Sequence, residues 1–238
     1  MAMETLQRAF NELNISYDNK VLDQFQKYME LILEWNEKVN LTAITDKEEF
    51  IRKHYIDSLL CYSFPEMKKA EKVIDVGTGG GFPGIPLALV FPEKQFVLMD
   101  SLKKRLNIID DLAIELKISN VATLHGRAED MGRSKDHREK YDICVSRAVA
   151  NLATLSEYCL PFIKRGGNFL AYKGTKAEEE IKEAHKAIFL LGGSITREER
   201  VTLPGYDLDH NIIVMDKVQN TSAKYPRKAG TPSKEPLK

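Results

Sequence analysis

The sequence has few of the features that mark disulfide-bonded, zinc-binding or membrane-spanning proteins. Its 238 residues include only three cysteines, Cys61, Cys144 and Cys159, and no CxxC pair. A disulfide scaffold and a zinc site are therefore both disfavoured. No apolar run approaches the roughly 20 residues that span a bilayer, and the opening MAMETLQRAFNELN resembles a polar helix rather than a secretory signal. We expect a cytoplasmic protein with no metal and no membrane attachment.

The chain carries no net charge, but its charges are unevenly spread. Residues 217–238 contain six lysines and arginines and one acid, whereas the rest of the chain is acidic. Long-range attraction depends on local charge, so the basic end predicts either a polyanionic partner or merely a solvated end. The last 20 residues contain three prolines and few apolar side chains. We therefore expect 219–238 to be a disordered tail until it is bound.

Hydrophobic periodicity divides the remaining chain in two. In residues 1–70 apolar side chains recur at spacings of three or four, which predicts a helical region that packs on the core. Asp18 and Asp46 precede two of these helices and can cap them. In residues 71–218 short apolar runs alternate with helical patterns, which predicts an α/β core with a mainly parallel sheet covered on both faces.

Seven apolar runs are predicted strands. The last two, 195–203 and 211–218, are joined by a short turn around Pro204 and Gly205 with no helix between them. Parallel neighbours need a long crossover, whereas antiparallel ones can be joined by a turn. We therefore predict a seven-stranded sheet that ends in an antiparallel hairpin.

The most informative segment is VIDVGTGGGFPGIP, residues 73–86, which follows the first predicted strand. It contains five of the 14 glycines of the chain, namely Gly77, Gly79, Gly80, Gly81 and Gly84. So many glycines between a strand and a helix indicate a ligand that approaches the backbone closely, at the carboxyl end of the sheet. A single tight turn would need fewer.

Three ligand classes compete for this loop. A P-loop would need a lysine after the glycines, and none lies between Lys72 and Lys94. The spacing GxGxxG of dinucleotide folds is present from Gly79 to Gly84, but alone it is a weak signal. The segment from Asp75 also matches DxGxGxG, the pattern of S-adenosylmethionine (SAM)-dependent methyltransferases. An acid at the end of the first strand suits the SAM ammonium group better than a pyrophosphate, so Asp75 favours SAM.

Further residues at strand ends complete a predicted adenosine pocket. Asp100 ends the second strand, where a carboxylate can bind both ribose hydroxyls, although NAD-binding proteins use the same device. Ala128 and Glu129 follow the third strand and can reach an adenine, and Phe82 can form an apolar wall. We predict cofactor contacts from these residues together with Asp75, Gly77, Gly79 and Arg147.

Features missing near the fourth strand restrict the methyl acceptor. The strand ends in VSRAV, without the (N/D)PP(Y/F/W) clamp of enzymes that methylate exocyclic amino groups. Cys144 lies within a strand and Cys159 on a helix, so neither is placed as a covalent nucleophile. Acceptors that need no deprotonation remain, such as guanine N7. Arg147 takes the position of the missing clamp and is the candidate catalytic residue, with the SAM carboxylate or a substrate phosphate as its partner.

The basic tail contains an aromatic residue among cations. Lys224, Tyr225, Arg227 and Lys228 combine a base-stacking ring with phosphate-neutralising charges. This combination suits single-stranded RNA. These four residues are the candidate RNA contacts.

Separate blocks along nearly the whole chain resemble one family. They are Trp35-Asn36 with NLTAIT, His54 with Asp57-Ser58, DVGTGGGFPGIP, Asp100-Ser101-Leu102 with Lys104-Arg105, Ser146-Arg147-Ala148, and Tyr172-Lys173-Gly174. The sequence is thereby similar to the bacterial glucose-inhibited division protein B family, the small-subunit ribosomal RNA guanine-N7 methyltransferases. The resemblance implies a class I, Rossmann-like SAM methyltransferase fold. The family's SAM contacts fall on Gly77, Phe82, Ala128, Glu129 and Arg147, with Asp100 at the ribose. Many members end near the last strand, so the resemblance gives the tail no part in the chemistry.

The resemblance also implies a substrate. It is a guanine in the 530 loop of 16S rRNA, methylated at N7 in the small ribosomal subunit or an assembly intermediate, with S-adenosylhomocysteine as product. No obligate protein partner is implied. Two alternatives remain, an NAD-dependent oxidoreductase and a non-catalytic SAM-sensing RNA-binding protein.

Overall fold

A computed structural model describes residues 2–147, 149–206 and 211–237. In this part of the chain, seven strands form one sheet in the order β3-β2-β1-β4-β5-β7-β6. The strands are β1 (Lys72–Val76), β2 (Gln95–Asp100), β3 (Val121–His125), β4 (Tyr141–Arg147), β5 (Ile163–Lys173), β6 (Gly193–Glu199) and β7 (Asn211–Lys217).

Helices precede the sheet and cover both of its faces. They are α1 (Ala2–Glu12), α2 (Asn19–Asn36), α3 (Lys47–Phe50, continued by a π-helical turn Ile51–Ile56), α4 (Pro65–Lys69), α5 (Gly84–Val90), α6 (Lys103–Glu115), α7 (Ala128–Met131), α8 (Leu152–Cys159, continued by a 3₁₀ turn Leu160–Phe162), α9 (Ala177–Leu190) and α10 (Thr231–Lys234). None of the helices described here is both long enough and apolar enough to cross a membrane.

The strand order places the glycine loop at a switch point of the sheet. β1 pairs in parallel with β2 on one side and with β4 on the other, so the connections that leave the carboxyl ends of β1 and β4 run in opposite directions. Crevices at such points are the usual ligand sites of open α/β sheets. The predicted location of the site is therefore the one that the topology favours.

The sheet ends as the sequence predicts. β5 pairs antiparallel with β7, and β7 pairs antiparallel with β6, so the terminal hairpin and the mainly parallel α/β fold are confirmed. β6 ends at Glu199 rather than at residue 203. Leu203 and Tyr206 instead form an isolated antiparallel bridge.

The N-terminal helices share a hydrophobic core with one face of the sheet. Phe25, Tyr28 and Tyr55 are fully buried in the same apolar cluster as strand residues such as Val73. The side chain of Asp18 accepts a hydrogen bond from the backbone N–H of Val21, which caps α2 as predicted. Asp46 caps α3 in the same way. The helices are therefore fixed against the sheet by apolar packing, and their ends are satisfied locally.

Helix α2 also contacts the glycine loop directly. The buried hydroxyl of Tyr28 donates a 2.7 Å hydrogen bond to the carbonyl oxygen of Gly80. Burial raises the pKa of Tyr28 well above its usual value, so the hydroxyl stays protonated and remains a donor. The helical region thus holds the loop from the side opposite the sheet.

The tail differs from the expectation of disorder. Its described part, 219–237, packs against the second face of the sheet, while residue 238 lies outside the described residues. Arg138 donates hydrogen bonds to the carbonyl oxygens of Thr221, Ser222 and Tyr225. Because these bonds replace those that water would make, a segment with few apolar residues can still lie ordered on the protein.

Replacing Tyr28 by phenylalanine should destabilise the fold. The change leaves the carbonyl of Gly80 without its buried donor, which typically costs about 1–3 kcal/mol. Urea unfolding monitored by circular dichroism measures the loss. Tyr17→Phe is the matched control, because Tyr17 is only partly buried, and its free energy of unfolding should change by about 0.5 kcal/mol or less. Equal stability of the two variants would show that Tyr28 does not anchor the loop.

Candidate active site

A cleft of about 350 Å³ opens at the carboxyl end of the sheet. It is lined by residues at or just beyond the ends of β1, β2 and β3, together with Val149 and Tyr158. Gly230 and Ser233, in the tail defined above (219–237), complete the lining. Of the predicted cofactor residues, the cleft brings together Gly77, Asp100, Ala128 and Glu129.

The glycine loop reaches this cleft through Gly77, while Gly79 lies outside the cleft lining. Gly79 has a φ of +60°, and a Cβ built on it would meet no atom within 4 Å, so its outer face is open to a ligand. Gly77 has a φ of +78°, and a Cβ there would come within 2.5 Å of the Val149 side chain. Both conformations favour glycine. The loop is therefore shaped for close backbone approach, as its composition predicts.

Asp75 lies behind the loop rather than in the cleft. Its Oδ2 accepts hydrogen bonds from Thr78 Oγ1 at 2.7 Å and from the Gly84 backbone N–H at 2.9 Å. The side chain is fully buried, and burial raises its pKa to about 7 although both hydrogen bonds oppose the rise. The structure thus departs from the predicted contact with an ammonium group: Asp75 holds the loop that the ligand would touch.

Asp100 lines the cleft and is 5% exposed. Its Oδ2 accepts a 3.1 Å hydrogen bond from Gly79 N–H, and its Oδ1 accepts one from Leu102 N–H at 2.9 Å. The guanidinium of Arg105, which also lines the cleft, lies 3.6 Å from the same carboxylate. These contacts fix the carboxylate at the strand end. Since a carboxylate can accept more bonds than these, it keeps capacity for hydroxyl donors.

Ala128 and Glu129 begin α7, immediately beyond β3, and line the far side of the cleft. Glu129 is 4% exposed, and its Oε1 accepts a 2.7 Å hydrogen bond from Gly230 N–H. Its side chain is therefore used to hold the C-terminal segment. Its backbone remains in the position that the sequence predicts for an adenine contact.

Arg147 ends β4 but does not line the cleft. Its Nη1 donates to Asp57 Oδ2 at 2.6 Å and to the carbonyl oxygen of Lys53 at 2.8 Å, and its Nη2 lies 3.2 Å from His54 Nδ1. The guanidinium is thus held by the π-helical turn and the residue after it. A carboxylate or phosphate could reach it only through the remaining N–H groups, so its predicted ligand and catalytic roles stay predictions.

His54 joins Arg147 to the glycine loop. Its ring stacks on Phe82 with centroids 4.4 Å apart, and its Nε2 lies 2.7 Å from Thr42 Oγ1. Because Arg147 donates to Nδ1, the ring proton is on Nε2 and donates to Thr42. Burial, with repulsion from Arg147, lowers the pKa of His54 to about 3, despite the opposing charge of Asp57. His54 therefore belongs to a polar network with Arg147 and Thr42.

Phe82 also occupies a different place from the one predicted. Its ring is 6% exposed and faces Tyr28 and His54. It joins the loop to the N-terminal helices instead of lining the cleft. The apolar wall is supplied by Val149, which the sequence did not single out.

The four candidate RNA contacts of the tail differ in how exposed their side chains are and in whether their charge is paired within the protein. Lys224 and Lys228 are exposed, whereas Tyr225 is partly buried against the apolar cluster on this face of the sheet. Arg227 forms a two-pronged ion pair with Glu157, with Nη2 2.7 Å from Oε2 and Nε 3.0 Å from Oε1. Its charge is compensated within the protein, so the exposed positive charge of this group is carried by the two lysines.

The sequence did not identify Tyr158, Gly230 or Ser233 as site residues. A tyrosine on a helix and a glycine and serine in a polar tail carry no motif of their own. The one available signal was the length of the tail beyond the last strand. Their place at the cleft is decided by the packing of the tail.

The residues that line the cleft fit SAM. Gly77 brings glycine backbone to the cleft, Asp100 presents a carboxylate for ribose hydroxyls, and the start of α7 offers backbone groups at the far side. Across the described part of the chain, no cluster of three or more His, Cys, Asp or Glu residues is arranged to hold a metal ion. The site thus fits a nucleoside ligand.

The neutral His54 predicts acid sensitivity of the fold. The unfolded chain protonates its histidine near pH 6.5, whereas the folded protein resists protonation down to about pH 3. This contribution to stability is complete above pH 6.5 and falls by about 2 kcal/mol at pH 5. Urea unfolding at pH 7.5 and pH 5 measures the loss. His54→Gln is the control, because its loss between the two pH values should be smaller by this amount. Parallel losses would show that His54 is protonated in the fold.

Comparison with solved structures shows the fold class. A SAM-dependent O-methyltransferase from Thermotoga maritima superposes with a TM-score of 0.53 at 15% identity, over 80% of this chain and 72% of that one. The fibrillarin pre-rRNA processing protein of Methanococcus jannaschii superposes with a TM-score of 0.51 at 17% identity, over 66% of this chain and 70% of that one. At these identities the likeness concerns the fold alone.

Sequence comparison shows the family. The family model GidB, described as rRNA small subunit methyltransferase G, matches residues 21–202. The ribosomal RNA small subunit methyltransferase G of Clostridium novyi (strain NT) is 49% identical over 98% of this chain and 96% of its own length. That of Clostridium tetani (strain Massachusetts / E88) is 48% identical over 99% and 98%. The chain therefore belongs to the GidB family, rRNA small subunit methyltransferase G, and its predicted SAM-dependent methyltransferase fold and cofactor are confirmed.

Proposed function

We propose that the protein transfers the methyl group of SAM to N7 of a guanine in the 530 loop of 16S rRNA. The observation that carries the proposal is the cleft between Gly77, Asp100 and Ala128 in a chain of the rRNA small subunit methyltransferase G family. The substrate is the small ribosomal subunit or an assembly intermediate, which places the reaction in the cytoplasm.

Different residues of the cleft bind different parts of SAM. Asp100 accepts hydrogen bonds from the ribose hydroxyls, and the backbone of Ala128 and Glu129 contacts the adenine. The backbone of Gly77, together with the open face of Gly79, lies along the amino-acid end. Bound in this way, SAM supplies a methyl group on a positively charged sulfur.

The chemistry requires little of the protein beyond positioning. Guanine N7 carries a lone pair and no proton, so no general base is needed. The protein holds the base in line with the methyl group and excludes water, and such positioning alone can account for a large part of a rate enhancement.

Charge near the site is arranged to tolerate a cationic product. Methylation at N7 leaves the guanine positively charged. The guanidinium of Arg147 is paired with the buried carboxylate of Asp57 at 2.6 Å, so its charge is compensated before the base becomes cationic. This pairing lowers the repulsion that an isolated arginine would exert. Arg147 is therefore proposed as a positioning residue at the end of β4.

Incubation with methyl-labelled SAM and unmodified small subunits tests the proposed function. We expect label on one guanine and chain cleavage there after treatment specific for N7-methylguanine. Asp100→Ala should weaken SAM binding by about 10–100-fold, because it removes a charged acceptor. Asp110→Ala is the control, since Asp110 is exposed and lies outside the cleft lining.

Three outcomes would overturn the proposal. Label on protein, DNA or a small molecule would contradict the substrate. Binding of SAM without transfer to any RNA would favour a non-catalytic sensor. Calorimetry that shows tight binding of NAD(H) and none of SAM would favour an oxidoreductase, because both cofactors use a carboxylate at the end of the second strand.

The exposed tail lysines are proposed RNA contacts. The double variant Lys224→Ala/Lys228→Ala should weaken rRNA binding and reduce the slope of log Kd against log salt by about two, since each phosphate contact releases about one counterion. Filter binding at several salt concentrations measures both quantities. Lys182→Ala/Lys186→Ala on α9 is a control of equal charge. Identical slopes in all three proteins would exclude Lys224 and Lys228 from the RNA interface.

A further inference from the structure

We propose that residues 229–237 form the outer wall of the cofactor cleft, and that Gly230 and Ser233 contact the adenosine part of the methyl donor. The proposal rests on the SAM-dependent function proposed above. The family model ends at residue 202, so it assigns no role to this segment.

The wall lies at the adenine end of the cleft. Gly230 and Ser233 line the cleft together with Ala128 and Glu129. The N–H of Gly230 is bonded to the carboxylate of Glu129 at 2.7 Å, so the segment is joined to the residues proposed to contact the adenine. Gly230 has a φ of +84°, which turns the chain at this point.

Ser233 presents a polar group to the same space. Its Oγ donates a 3.1 Å hydrogen bond to the carbonyl oxygen of Gly230. The residue lines the cleft and remains exposed. A hydroxyl that donates once can still accept, so it is suited to an amino or hydroxyl donor of a nucleoside.

Anchors on both sides of Gly230 keep the wall in place. Before it, Arg227 pairs with Glu157, whose side chain is completely buried. After it, the buried hydroxyl of Thr154 donates a 3.0 Å hydrogen bond to the carbonyl of Pro232. Breaking a buried ion pair leaves an uncompensated charge, which is strongly unfavourable. The segment is therefore a fixed part of the site and not a frayed end.

A wall at the adenine end has a defined effect on binding. The adenosine part is identical in SAM, S-adenosylhomocysteine and methylthioadenosine, and methyl transfer does not alter it. Contacts to it therefore contribute equally before and after the reaction, so they affect affinity rather than the chemical step. Loss of the wall should weaken all three ligands by a similar factor.

Truncation after Lys228 tests the wall. This change removes Gly230 and Ser233 but retains the ion pair between Arg227 and Glu157. Calorimetry with S-adenosylhomocysteine and with methylthioadenosine should show affinities about 5–10-fold weaker for both, as expected for the loss of one or two hydrogen bonds. Truncation after Glu235 leaves the cleft lining intact and should bind both ligands like the full chain. Thermal unfolding checks that each variant is folded.

Point variants test the contact from Ser233 without shortening the chain. Ser233→Ala should weaken binding of both ligands about 3-fold, whereas Ser222→Ala, earlier in the tail and outside the cleft, should have no effect. A loss on truncation with unchanged binding by Ser233→Ala would overturn the contact assigned to Ser233.

The remaining outcomes separate this inference from the proposed function. If truncation after Lys228 leaves the affinities for both ligands unchanged, residues 229–237 do not form a wall of the cleft. This holds whether or not RNA binding is lost. Tail-dependent binding of methylthioadenosine without methylation of any rRNA supports the wall and overturns the proposed function. Weaker binding of S-adenosylhomocysteine with unchanged methylthioadenosine overturns the placement at the adenine end.

Discussion

The carboxylate of Asp75 holds the glycine loop from inside the protein. One oxygen accepts from Thr78 and Gly84, at the two ends of the turn. Among the described buried side-chain polar atoms, its other oxygen is the one without a hydrogen-bond partner. Burying this carboxylate is unfavourable, and the raised pKa expresses that cost. The hydrogen bonds of Asp75 hold the loop in a conformation that leaves glycine backbone on its outer side. The rest of the site depends on this conformation.

The N-terminal helices complete the loop's support from the opposite side. Tyr28 bonds the carbonyl of Gly80, while His54 stacks on Phe82 and joins Arg147. The helical region therefore shares both the core and the polar network of the site. Arg147 is held by the same network, and burial together with the charge of Arg147 keeps His54 neutral.

The C-terminal segment adds a third side to the site. Its many prolines and charges suggest a solvated tail, but the protein supplies partners for its polar groups. Arg138 satisfies its carbonyls, and the buried Glu157 is paired by Arg227. The segment is held by these hydrogen bonds and ion pairs together with the apolar packing of Tyr225 and Leu237. Lys224 and Lys228, which are exposed, can still face a polyanion.

The sequence alone determined the α/β class, the terminal hairpin, the caps at Asp18 and Asp46, the glycine loop and the family. Each of these depends on local patterns: periodicity, a capping side chain, or glycines where φ is positive. Only the tertiary structure decided that Asp75 and Phe82 lie behind the loop, that Arg147 is held by Asp57, and that Gly230 and Ser233 line the cleft. The physical reason is that these contacts join residues far apart in sequence, such as Arg227 and Glu157, and no local pattern encodes which distant group will satisfy a given charge or carbonyl.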